Sequence, residues 1–184
     1  MNRWILLAIL IVLVFLTLAL QEFIPPLAVF WGARILLVPV FFCFGALELP
    51  LLLMLILAVF TGLVSDLMIL QVIGDRVEIA LGWSIVAYVL MGSVLQGLRT
   101  IYLRGRWEIH AFGSAFCTIA ILGGQFLMIT ARRIDEGGLV FDWIVLWRIL
   151  VPGSVALLVS PLIYFGARSL GMCLEPRRGR AAYR

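Results

Sequence analysis

Apolar residues run consecutively along this chain, in six long stretches separated by short polar clusters. The stretches are Trp4–Leu20, Leu27–Leu47, Pro50–Leu70, Ile79–Leu98, Ile109–Ala131 and Trp143–Leu170. Their connections read QEFIPP, LELP, QVIGDRVE, RTIYLRGRWE and RRIDEGGLVFD. Strands of a membrane barrel alternate apolar and polar positions over about ten residues. These runs are longer and do not alternate. About 20 apolar residues in helical form cross the ~30 Å of bilayer hydrocarbon. A helix also pairs its own N–H and C=O groups within one segment, as a medium without water requires. The pattern predicts an all-α integral membrane protein, a six-transmembrane-helix bundle. Residues 1–170 form its single membrane domain and 171–184 a basic tail.

Three prolines fall inside these stretches. Pro39 in the second, and Pro152 and Pro161 in the sixth, predict kinks where the bond to residue i−4 is lost. The first stretch follows Met1-Asn2-Arg3, as the apolar core of a signal peptide would. Such a core spans about 7–15 residues and precedes a small-x-small cleavage site. Trp4–Leu20 is longer and runs into Gln21-Glu22-Phe23-Ile24-Pro25-Pro26 without such a site, so it reads as a retained helix.

Composition agrees with this reading. Hydrophobic residues make up 64% of the 184 and charged residues 13%, against about 25% charged in a soluble domain. Mean hydropathy is +1.17. All fourteen basic residues are arginine. They lie between apolar runs and not on a soluble basic face, so nucleic acid is not an expected partner. An even number of spans puts both termini on one side. That side collects nine arginines: Arg3, Arg99, Arg104, Arg106, Arg168, Arg177, Arg178, Arg180 and Arg184. The other side holds three, Arg76, Arg132 and Arg133. The positive-inside rule then makes both termini cytoplasmic.

Charged side chains within the spans are costly and are functional candidates by default. There are three: Arg34, Asp66 and Arg148. At ~1.5 Å per residue all three fall roughly 6–10 Å from the outer end of their spans, in one polar layer. The short LELP connection makes spans two and three antiparallel neighbours. Asp66 is therefore expected to pair with an arginine, Arg34 before Arg148. The alternatives are arginines that snorkel unaided to the interface and an Asp66 that caps a helix or meets a ligand at the outer edge. Small residues at spacings of three and four, among them Gly92, Ser93 and Gly97, then Gly113, Cys117 and Gly124, then Gly153, Ala156 and Ser160, predict close helix packing within the bundle, the alternative being a docking face for another membrane protein.

Reaction chemistry finds little support. His110 is the single histidine, and no carboxylate set accompanies it. Glu48 and Glu108 fall on the cytoplasmic side beside Arg99, Arg104 and Arg106, where surface ion pairing is the expectation. Cys43, Cys117 and Cys173 share no metal spacing. The expectation is a protein that is not an enzyme and has no cofactor or metal.

One stretch has the character of a motif. Phe60–Gly74 reads FTGLVSDLMILQVIG, with a Gly62-Leu63-x-x-Asp66 core and Gly74 following. Together with the Arg34–Pro39 segment of span two and the Ser160-Pro161-Leu162 step in span six, it resembles the rod shape-determining protein MreD family. A long final segment and an Arg-rich tail depart from that pattern. The resemblance implies a non-catalytic membrane scaffold of the bacterial cell-elongation complex, which builds peptidoglycan and keeps cells rod-shaped. It implies the bacterial cytoplasmic (inner) membrane, membrane lipid around the protein, a single-span MreC-like partner and the elongation synthases. Such proteins are similar in architecture to the substrate-binding subunits of energy-coupling-factor transporters. The alternative is thus a subunit binding a vitamin-type molecule near the outer face, with Arg34, Asp66 and Arg148 in that site.

Overall fold

A computed structural model describes residues 2–23, 35–69, 82–102, 107–132 and 143–170, with Pro25, Gly32, 72–73 and 76–77. Among them are six helices: α1 (Arg3–Phe23), α2 (Val38–Glu48), α3 (Leu51–Ile69), α4 (Trp83–Tyr102), α5 (Glu108–Arg132) and α6 (Trp143–Ser169). Between α3 and α4, Val72–Ile73 and Arg76–Val77 pair as a two-residue antiparallel ladder. Residue Gly74, the last position of the motif-like stretch, and Arg34 lie outside the described residues.

All the long helices are apolar enough to cross a membrane, and there are five of them: α1, α3, α4, α5 and α6. Their outward faces carry Val12, Phe15, Leu16, Val86, Leu90, Leu158 and Leu162, all exposed. Exposed apolar surface on that scale marks contact with something other than water.

The second segment departs from the expected span. Its helix has eleven residues and rises about 16 Å, roughly half the hydrocarbon thickness. Gly32 takes a φ of 79° and residues 35–37 are outside any helix, so no continuous helix covers Leu27–Leu47. Pro39 therefore bends nothing. It occupies the first turn of α2, where a missing N–H leaves no intrahelical bond unmade. Pro152 and Pro161 do lie inside α6, which continues helical through both.

Helix α2 is the hub of the bundle. It touches each of the other five, which form an open arc in the order α1, α3, α4, α5, α6. Ten of its eleven residues are buried, from Val38 to Glu48. Its sequence, VPVFFCFGALE, is apolar on every face, as an element enclosed on all sides must be. Phe42 meets Tyr88 of α4 edge-on, ring centres 4.8 Å apart.

Ending such a helix inside the bundle exposes carbonyls that need donors. Two side chains one turn apart on α4 supply them. Gln96 Nε2 donates to the Ala46 and Leu49 carbonyls at 2.7 and 2.9 Å. Arg99 donates through Nε to Leu47 at 3.0 Å and through Nη2 to Glu48 at 3.2 Å. The Arg99 cation also sits at the negative end of the α2 dipole. Gln96→Leu keeps the volume but removes the amide. We expect it to lower stability by about 2 kcal/mol, since each carbonyl left dry costs roughly 1–3 kcal/mol. The thermal-unfolding midpoint in detergent measures the loss.

Candidate functional site

The motif-like stretch is built into the contact between α3 and α4. Gly62 faces the first turn of α4. A Cβ there would overlap Ile85 Cα and stand 2.5 Å from Ile85 N. Only a residue without a side chain lets the two backbones approach this closely. One turn further along α3, Asp66 is 4% exposed and reaches the start of α4. Gly82 N–H donates to Asp66 Oδ2 at 2.6 Å, and Ser84 N–H donates to Oδ1 at 3.3 Å.

This is a helix cap supplied from a neighbouring helix. A helix start leaves N–H groups without partners, and the preceding residue's side chain usually takes one. Here that residue is Gly82, with a φ of 101° and no side chain. Asp66 serves in its place and sets a negative charge at the positive end of the α4 dipole. Gly62 and Asp66 thus act together: one permits the approach, the other fastens it.

Asp66 and Arg148, the two described members of the expected polar layer, are therefore not partners. Both Asp66 oxygens accept main-chain N–H groups, and among the described residues Asp66 forms no ion pair, with Arg148 or otherwise. Arg148 is exposed on α6, and its Nη2 lies 3.8 Å from where a Cβ on Gly32 would stand. Its guanidinium thus reaches the chain between α1 and α2. The expected pairing of Asp66 with Arg34 concerns a residue outside those described.

A second polar cluster lies at the other end of the bundle, where sequence reasoning placed only surface charges. Glu48 is 1% exposed, not a surface residue. Tyr102 Oη donates to its Oε1 at 2.9 Å, and the Arg99 charge lies close by. Tyr102 stacks edge-on against Tyr164 of α6 at 6.0 Å. His110, on α5, is fully buried between Phe44 and Tyr164. Its Nδ1 and the Ser160 hydroxyl share a 2.5 Å hydrogen bond. The Val40 main chain lies beside the ring, and Nε2 makes no hydrogen bond of good geometry among the described residues. The Cys43 thiol donates to the His110 carbonyl at 3.8 Å.

The Ser160–His110 pair has the composition of a nucleophile and its base. Neither residue has any exposed surface, so no substrate carbonyl can approach the hydroxyl. What the pair does in this fold is join α5 to α6 through a polar contact inside an apolar core. No three metal-ligating side chains come together among the described residues.

The signal for this cluster was present but weak. Gln96 and Arg99 are polar residues three apart at the end of an apolar stretch, and Glu48 closes another. Nothing in the linear pattern says that the residues closing the stretch at Glu48 are enclosed by the neighbouring helices.

The fold and these contacts define a multi-pass membrane protein whose inward polar groups hold helix ends and helix pairs. Comparison with protein families, with characterised proteins and with solved structures finds no match to this chain.

Proposed function

We propose that this chain is a non-catalytic membrane scaffold of the bacterial cell-elongation complex, of the MreD type. The supporting observation is that Gly62 and Asp66, the family-like positions, are both consumed in fixing α3 to α4. A carboxylate that accepts two main-chain N–H groups from the neighbouring helix is a fixed part of the framework. The chain sits in the bacterial cytoplasmic membrane with both termini in the cytoplasm. It joins a single-span MreC-like protein and the elongation synthases through its exposed apolar faces.

Deleting the gene in a rod-shaped host is expected to give rounded cells, restored by the intact gene. The tagged protein is expected to co-purify with a single-span partner. Rod shape retained after deletion would sink the proposal. Submicromolar binding of a vitamin by the reconstituted protein would replace it with the transporter-subunit reading.

A further inference from the structure

Exposed indole rings fall at two levels of the bundle. Trp107, just before α5, lies beside Phe165 of α6, ring centres 6.2 Å apart. The adjacent Tyr164 meets Tyr102, the last residue of α4, at 6.0 Å. These contacts set the start of α5 and the ends of α4 and α6 at one level. At the far end of α6, Trp143 and Trp147 meet edge-on at 6.1 Å. Among the described residues the exposed tryptophans are Trp4, Trp107, Trp143 and Trp147, each within about a turn of a helix end.

Two helices give the separation of the levels independently. The eighteen residue steps from Trp147 to Phe165 rise about 27 Å. The nineteen from Trp83 to Tyr102 rise about 28 Å. Both agree with the ~30 Å thickness of bilayer hydrocarbon. Between the levels the exposed large side chains are apolar, Leu150, Leu158 and Leu162 on α6 and Leu90 and Val94 on α4. Tryptophan favours the boundary between hydrocarbon and headgroups, where its ring is sheltered and its N–H meets polar groups. A docked helix would cover one side of the bundle. These rings stand on α1, beside α5 and on α6, and α1 and α6 are the two ends of the arc, so the matching surface encircles the bundle.

We infer that the two tryptophan levels are the interfaces of a lipid bilayer whose hydrocarbon core is about 28 Å thick around this protein, and that Asp66 and Arg148 are level with one of these interfaces and not with the core. Asp66 accepts the Gly82 and Ser84 N–H groups, on either side of Trp83. Arg148 directly follows Trp147 and is exposed. A charge at that level stays in reach of water and headgroups, which lowers its cost in an apolar run. The placement holds whether or not the protein works as a scaffold.

Tryptophan fluorescence of the full chain, in vesicles of phosphatidylcholine brominated near the headgroup or near the chain ends, tests the levels. The shallow bromines should quench the unaltered protein about twofold more than the deep ones. Leu158→Trp, on an exposed position between the levels, should add emission that the deep bromines quench more. Arg148→Trp should add emission that follows the shallow bromines. The thickness is read from phosphatidylcholines of graded chain length, in which the thermal midpoint should peak at a core of about 28 Å and fall on either side. Stronger quenching of the unaltered protein by the deep bromines would overturn the interface levels, as would shallow quenching of the emission that Leu158→Trp adds. Deep quenching of the emission that Arg148→Trp adds would return that charge to the core. A midpoint that does not change with chain length would overturn the match in thickness.

Discussion

Gly62→Ala is expected to remove most of the folded protein, while Gly97→Ala leaves its yield unchanged. Both glycines lie within membrane-spanning helices, and on propensity alone alanine would favour each helix by nearly 1 kcal/mol. Their surroundings separate them. At Gly62 the new methyl would meet the Ile85 main chain, with its nitrogen 2.5 Å away. Backbone cannot rotate aside as a flexible side chain can, so α4 must move bodily away from α3. Overpacking a core typically costs 1–3 kcal/mol, and here the displacement would also pull Gly82 and Ser84 away from Asp66. A total of about 3–5 kcal/mol is comparable with a large share of a domain's stability. At Gly97 the methyl would meet nothing within 4 Å. Monodisperse yield after detergent extraction and the thermal midpoint of the two variants give the comparison.

Asp66→Ala has the next largest expected effect. It removes the acceptor for two N–H groups, of which that of Ser84 is buried. Hydrogen bonds to a charged group contribute about 1.5–3 kcal/mol each, so a loss of roughly 3 kcal/mol is expected. Asp66→Asn keeps one carbonyl oxygen but turns an NH2 towards the other donor, and should fall in between. The double variant Asp66→Ala with Arg148→Leu distinguishes a cap from an ion pair. If the two side chains were partners, removing both would recover part of the loss. With Asp66 committed to α4, the two effects should add.

The membrane character of the fold was legible in the sequence because hydropathy is a sum over many residues. Four of the six expected stretches match long helices to within about four residues at each end. The first does so as well, with α1 running from Arg3 to Phe23. The second does not, for a physical reason. A half-length helix enclosed by five others needs the same apolar residues on every face as a spanning helix needs against lipid. Composition does not separate the two. The separating features are the Gly32 turn and the proline at the first turn of α2, and Pro39 reads equally well as a kink when the helix start is not known.

The candidate site was legible in part. Asp66 stood out because a carboxylate in an apolar run is costly, and Gly62 because of its spacing from Asp66. Depth sets Asp66 level with Arg148, yet the partner within reach of its carboxylate is the open first turn of α4. Gly82 was the missing clue: a helix that begins after a residue with no side chain must find its cap elsewhere. His110 and Ser160 are fifty residues apart in sequence, and nothing local announces their contact. Glu48 was misplaced because it precedes a proline turn, and that position normally lies at a surface.

The central claim is that the Asp66 carboxylate belongs to the first turn of α4. Hydrogen exchange of the segment 82–86, compared between the unaltered protein and Asp66→Asn in the same detergent, tests it most directly. The account predicts slow exchange at Gly82 and Ser84 in the unaltered protein, at least tenfold faster exchange in the variant, and no change in the middle of α5. Equal exchange at Gly82 and Ser84 in the two proteins would contradict it.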